Sequence, residues 1–576
     1  MQETVPGSPI FNTLNTLSTL LLLVFTCTGA AQAQVVLAPS TPQVGSSNPA
    51  TAEPLITRPK VKPCTVSLLN NAAFESFNAT TFSYAPPSDC PGPWSKVVLT
   101  ADFTVSSGTQ FDRSGWFYLG DVNIFFGTTA EPRSNLSPSW HIERDVTDLT
   151  SVLKTAQPGS ATIGNIVNPQ FNGVIFANAA LEFYPATHSD PAPATPDIVV
   201  GLSSGSNPLD LVTTTDQLTQ TVNLPRNVEK VYLDVFAQNQ INDEFYYFSV
   251  PNDVTGLLES SGNTAFRETE ISIDGTPAGV APVFPFIFTG GLDPALWEPI
   301  PGVQTLDFKP YRVDLTPFAG ILGDGNQHTV AISVFNANNF FNATANLLVF
   351  TDHGSSEVSG GLIGNTLSAA PTPQVNENLT TSSTGVVTGT VSVGSNRAFS
   401  ISGFVNTSHG RVVTTVEQQV NFLNTQTFNI NPNNGDDLQD AVQTSTVDSQ
   451  ISTQQGLLNE TVSKHVSYPL TVDFSFTANP DGSEAEAIAV NQQNQQTDTD
   501  ALNGSPRFAR SIQEQVLSQD NLAVSAAGVF TETPSSSASF QDKDSRGNCF
   551  TRSLTSDNLV LTSVKDSKAC DGKPHF

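Results

Sequence analysis

Two acidic clusters stand out in a chain where only 13% of residues are charged. Asp112 adjoins Arg113 in QFDRSGWFYLGDVNIFF, and Asp243 adjoins Glu244 in NDEFYYF. Farther on come an arginine-led strand, FRETEISIDG over 266–275 with Arg267 near its start, and FPFIFTGGLDPALWEPI over 284–300 with Trp297. Carboxylates, an arginine and a tryptophan in that order suggest a site that handles carbohydrate. Hydrolysis at such a site needs a positioned water, a carboxylate to orient or deprotonate it, and donors for the charge that develops. Two carboxylates also meet the minimum for a glycosidase, and an indole face can carry a sugar ring. Glu143 and Asp145 alternate in WHIERDVTD and so share a strand face, which makes Glu143 a further candidate. A plainer reading stands beside each assignment. The two acidic clusters would serve equally as solvated turn charges, and Trp297 as core.

Other chemistries lack their spacing. The seven histidines are scattered singly, with no HExxH or similar ligand pattern, so neither a metal nor another cofactor is expected. No nucleophile elbow and no glycine-rich phosphate loop occurs. The net charge of −29, from 24 basic and 53 acidic side chains, would repel nucleic acid and anionic membranes. Near the pI of about 4.4 that charge largely vanishes, which suits an acidic working environment.

The elements that must hold these residues are strands. At 576 residues the chain exceeds what one hydrophobic core carries. An apolar run over 17–30 with a small-residue cleavage pattern predicts a signal peptide over 1–33. It is too short to span a bilayer, and no later segment approaches the about 20 apolar residues needed, so no membrane partner is expected once it is removed. Residues 34–62, rich in Pro, Ser and Thr, read as a linker or disordered arm. Runs at 96–104, 116–126, 173–184 and 197–202 are β-branched or aromatic and predict strands of a first domain over 63–222, with one short helix over 147–155. Runs at 228–237, 269–274, 303–308, 311–315, 329–335 and 345–351 predict a second domain over 223–352. The fold class is mainly β: two tandem jelly-roll or β-sandwich domains, then a C-terminal β-rich domain over 353–576 with a loose polar insertion over 429–494. Loss of the leader removes Cys27 and leaves four cysteines; three pairings are open, and pairing within domains favours Cys64 with Cys90 and Cys549 with Cys570. Sequons at Asn78, Asn135, Asn342, Asn378, Asn406, Asn459 and Asn503 add to the picture of a secreted glycoprotein.

Residues 64–352, and the FPFIFTGGLDPALW core above all, resemble the peptide-N-glycosidase A family, acid-active amidases that cut N-glycans from asparagine. The resemblance implies a secreted glycoamidase acting on N-glycosylated peptides and proteins, splitting the bond between asparagine and the first N-acetylglucosamine; an endoglycosidase or a non-catalytic glycan-binding protein is the rival reading. The bacterial peptide-N-glycosidase F type enzymes look similar around these residues. Their pattern implies Asp112 as the carboxylate that orients water, Glu244 as its second-domain partner, and Arg113 and Arg267 as their arginines; Asp243, the neighbour of Glu244, and Trp297, as core or as a platform for an N-acetylglucosamine ring, are further substrate-binding candidates. The match is interrupted by a Ser/Gly-rich stretch over 252–262. A further bacterial glutamate has no acidic counterpart, and the nearest polar residues are Asn165 and Asn168. Nothing after Asn365 carries a proposed catalytic group, so a chain ending there is expected to retain turnover if it folds.

Overall fold

The computed structural model describes residues 41–570 together with Val35, Leu37 and Pro39; the predicted signal peptide lies outside them. Alternating apolar residues build a first two-sheet sandwich. One sheet runs in the order Cys64–Phe74, Ile175–Pro185, Trp94–Val105, Ser139–Asp145, and the other Thr80–Tyr84, Gln157–Ile163, Ser114–Leu119, Val122–Thr128. Between them lies a core that includes Val97, Leu99, Phe103, Phe117, Phe125 and Leu181. The run expected as one strand at 116–126 is a hairpin, because Gly120 takes φ +56° and turns the chain back on itself. The helix expected at 147–155 is one short 3-10 turn, Thr147–Leu149, continued by Thr150–Leu153.

The second sandwich pairs Leu209–Thr213, Asn338–Thr351, Val228–Asn239 and Tyr311–Asp314 in one sheet, with Ile198–Gly201 beside Asn338–Thr351. Its other sheet is Leu218–Val222, His328–Phe335, Glu268–Ile273 and Thr276–Pro282. Ile198–Gly201, Leu209–Thr213 and Leu218–Val222, all inside the stretch assigned to the first domain, thus hydrogen-bond within the second. The strand expected at 303–308 is absent: Gln304 at φ +60° folds that stretch into turns closed on the Gly302 and Gln304 carbonyls.

Ser359–Asn365 begins a 12-stranded antiparallel sheet. The stretch expected to be loose forms long, continuously paired strands, Asp436–Gln455, Leu458–Ala478 and Glu484–Leu502. Composition concealed them because their buried positions mix Val, Ala and Phe with Gln, Ser and Asp, and the buried amides of Gln439 and Gln492 have partners. Apolar residues of this sheet, including Phe399, Val420, Val472 and Val490, share one continuous core with Ile271, Val280 and Phe284 of the second sandwich. The disulfides join Cys64 to Cys90 and Cys549 to Cys570. The arm before Cys64 has no regular secondary structure but is not loose. Gly45 donates to the Leu561 carbonyl at 2.7 Å, Ala50 to Pro299 at 2.8 Å, and Ile56 to the Glu143 carboxylate at 2.7 Å. Of the sequons, Asn342 is buried and its amide is bound by Asp210, whereas the other six asparagines are exposed.

Candidate active site

The hairpin of the first sandwich delivers the first two carboxylates. Its register pairs Leu119 with Val122 and Ser114 with Thr128. Thr129 N–H then donates to the Arg113 carbonyl and Arg113 N–H to Thr129 Oγ1, both at 2.9 Å, which carries the pairing one step past the strands. Asp112 and Glu131 therefore leave the hairpin side by side, and Asp112 N–H lies 3.4 Å from Glu131 Oε2. Glu131 was not among the candidates: with 116–126 read as a single strand, nothing brought residue 131 back beside residue 112.

A loop of the second sandwich meets them. Thr289 Oγ1 accepts from Glu131 N–H at 2.7 Å and donates to the Thr129 carbonyl at 3.0 Å, and Gly290 N–H donates to Asp112 Oδ2 at 2.9 Å. A Cβ at Gly290 would run into the Glu131 carboxylate and sit 3.1 Å from Asp112 Oδ1, so both carboxylates converge over this one glycine. Glu244 follows the turn Ile241–Asp243, and Asn239 Nδ2 ties the Glu244 carbonyl, at 2.6 Å, to that of Phe286, at 3.0 Å. Asp112, Glu131 and Glu244 are each partly exposed, so the three acids line a seam contributed by both sandwiches.

Their electrostatics are mutual. Burial pushes the Glu131 carboxyl up to about 8, helped by the neighbouring charges of Asp112 and Glu244. Burial and the Asp112 charge push Glu244 to about 8 as well. Burial also raises Asp112, opposed by the Gly290 N–H and the Arg113 charge, so Asp112 is the member of the group best supported as a carboxylate. Arg113 is fixed beside it: Gln110 Oε1 accepts from its Nε at 3.1 Å and Nη2 at 2.8 Å, and the guanidinium stands 5.5 Å over the Phe111 ring.

The remaining candidates sit elsewhere. Arg267 and Asp243 form an ion pair with no exposure, Nε to Oδ1 at 2.9 Å, and Asp243 Oδ2 accepts from Asn338 N–H at 2.6 Å. Both are scaffold under the Glu244 turn: with Asp243 drawn inward by the arginine, the next residue faces the seam. Trp297 is 3% exposed, and its indole N–H donates to the Gly291 carbonyl at 2.7 Å. It walls a small hollow with Glu131 and Thr289 but offers no open face for a sugar ring. Glu143 accepts from Ile56, Arg58 and His141, a network that anchors the N-terminal arm. Asn165 is buried with its amide on the Phe74 carbonyl, and Asn168 caps the turn at Gln170 and Phe171. A cleft of about 500 Å³ between Tyr232, Tyr311 and Arg312 of the second sandwich and Lys464 of the long sheet is lined by none of the three carboxylates. Among the described residues no group of three or more His, Cys, Asp and Glu side chains is arranged to hold a metal ion, and no helix is long and apolar enough to cross a membrane.

The family model described as peptide N-acetyl-beta-D-glucosaminyl asparaginase amidase A matches residues 51–365, more than half of the chain. Peptide-N4-(N-acetyl-beta-glucosaminyl)asparagine amidase A of Prunus dulcis is 27% identical over 552 residues, covering 89% of this chain and 91% of its own. Among solved structures, PNGase F, a glycosylasparaginase from Flavobacterium meningosepticum, aligns at 12% identity and a TM-score of 0.33, covering 50% of this chain and 96% of its own. PNGF-II aligns at 12% identity and 0.37, covering 51% and 66%. Scores of this size carry no residue correspondence. The three converging carboxylates, Arg113 and Gly290 all fall inside the matched span, and the chain belongs to the peptide N-acetyl-beta-D-glucosaminyl asparaginase amidase A family of hydrolases.

Proposed function

We propose that this protein hydrolyses the amide bond between asparagine and the first N-acetylglucosamine of N-glycosylated peptides and proteins. The observation that carries this reading is the convergence of Asp112 and Glu131 over Gly290, with Arg113 alongside and Glu244 close enough for its charge to act on both carboxylates. The Asp112 carboxylate, supported by Gly290 N–H and the Arg113 charge, orients and deprotonates a water that adds to the side-chain carbonyl carbon. Arg113 stands beside the oxygen that gains charge. Glu131 or Glu244, protonated up to about pH 8, gives its proton to the amide nitrogen, the C–N bond breaks, and the glycosylamine leaves while asparagine becomes aspartate. Glu244, coming from the other sandwich, holds the sugar side of the bond. The two disulfides support work in an oxidising, extracytoplasmic compartment.

Digestion of one N-glycopeptide followed by mass spectrometry tests the reading. The expected product is a peptide with aspartate at the former glycosylation site. A peptide that keeps one N-acetylglucosamine would make the protein an endoglycosidase, and an unaltered glycopeptide would remove the catalytic reading.

A further inference from the structure

The two loops that reach the seam are gripped from behind by amide side chains of the long C-terminal sheet. Gln492, with no exposure, donates from Nε2 to the Pro285 carbonyl at 2.7 Å and accepts at Oε1 from Val303 N–H at 2.7 Å. Pro285 and Val303 are the two sides of the neck of the loop whose tip places Thr289 on Glu131 and Gly290 on Asp112. At that neck a Cβ on Gly302 would come within 2.9 Å of Gln492 Oε1, so glycine admits the staple. On another strand of the same sheet, Gly410–Asn431, Asn424 Nδ2 donates to the Tyr247 carbonyl and Gln426 Nε2 to the Ser249 carbonyl, each at 2.9 Å, in the segment that follows Glu244. Loop necks carry carbonyls and N–H groups with no strand partner, and burying them requires donors and acceptors from outside. A neutral amide supplies both without adding a charge beside three mutually repelling carboxylates.

We propose that the C-terminal sheet is a positioning element of the active site, with Gln492 as the staple that fixes the loop bearing Thr289 and Gly290 against Asp112 and Glu131. The sheet lies almost wholly outside the family-matched span of 51–365. The inference deepens the amidase reading and rests on it for its kinetic consequence, but not for the geometry.

The full-length protein is compared with Gln492→Leu and Gln492→Glu. Gln492→Leu keeps the bulk and removes both bonds; kcat should fall roughly tenfold or more with KM little changed, because the displaced loop no longer holds Asp112 and Glu131 in the geometry the transition state needs, while substrate binding at rest does not depend on it. In Gln492→Glu a protonated carboxyl presents the same donor and acceptor as the amide, so kcat should recover at acidic pH and fall as that carboxyl ionises, a step the wild type lacks. A core-filling role would lower the melting temperature and leave both kcat and the pH profile of the folded enzyme unchanged, and that result would overturn the proposal. Amide exchange of residues 285–303, read by mass spectrometry without substrate, should accelerate about tenfold in Gln492→Leu. Unchanged exchange would overturn the staple whether or not glycopeptide is cleaved. Faster exchange together with a wild type that cleaves nothing would instead uphold the staple and refute the amidase reading.

Discussion

Three carboxyl groups that repel one another inside a partly desolvated seam cannot all be ionised at neutral pH. Arg113 and the Gly290 N–H favour charge on Asp112, and the proton is left on Glu131 and Glu244, each pushed up to about 8. In the proposed mechanism base and acid are set apart by environment rather than by residue type. Activity should fall as pH rises through about 8, where the proton donor is lost. The stability consequence has the same sign: between the ordinary carboxyl value and about 8 the folded state holds protons that the unfolded chain releases, so stability falls as pH rises across that window. Glu131→Gln keeps the shape, cannot ionise and cannot act as an acid. It should lose roughly 10² in kcat while melting higher than wild type at pH 8, with the difference shrinking towards pH 4. Calorimetry at the two pH values checks this; a difference that does not change with pH would contradict the assignment of the raised carboxyl.

Hairpin geometry and one glycine do the assembling at the scale of elements. A side chain at Gly290 meets only the far end of Glu131 and Asp112, groups that can swing away, so the damage should be catalytic and not structural. Gly290→Ala is expected to lower kcat by roughly tenfold or more through misplacement of the carboxylates, with a melting temperature close to wild type; unchanged turnover would mean the convergence over Gly290 is incidental. Asp112, Arg113 and Glu244 stood out as candidates because acidic residues beside aromatic strands are conspicuous in a chain of low charge, and the family resemblance alone attached roles to them. Glu131 was hidden by the Gly120 turn, since only the folded hairpin makes residues 112 and 131 neighbours. Arg267 was visible but misplaced: its charge lies inward on Asp243, a choice set by packing under the turn rather than by any local pattern. The long strands over 436–502 were hidden for a third reason. Their inward face is built partly of Gln and Ser, and polar residues read as loop unless their buried partners are known.

On the scale of the whole molecule the sheet and the second sandwich are one core. Phe399, Val420, Val472 and Val490 pack with Ile271, Val280 and Phe284, so ending the chain at Asn365 would expose that surface and free both active-site loops from their amide partners. The expectation that such a chain keeps turnover is revised: it should aggregate or, if held soluble, show no measurable cleavage, which expression followed by size-exclusion chromatography and a glycopeptide assay would establish. The first sandwich supplies Asp112, Arg113 and Glu131, the second supplies Glu244 and Gly290, and the sheet holds the second sandwich's loops in place. In the proposed mechanism Asp112 is the group that activates water. The most direct test is the rate at which full-length Asp112→Asn converts glycosylated asparagine to aspartate, measured beside wild type at equal folded concentration. A fall of roughly 10² or more with an unchanged melting temperature is predicted, and turnover near that of the wild type would contradict it.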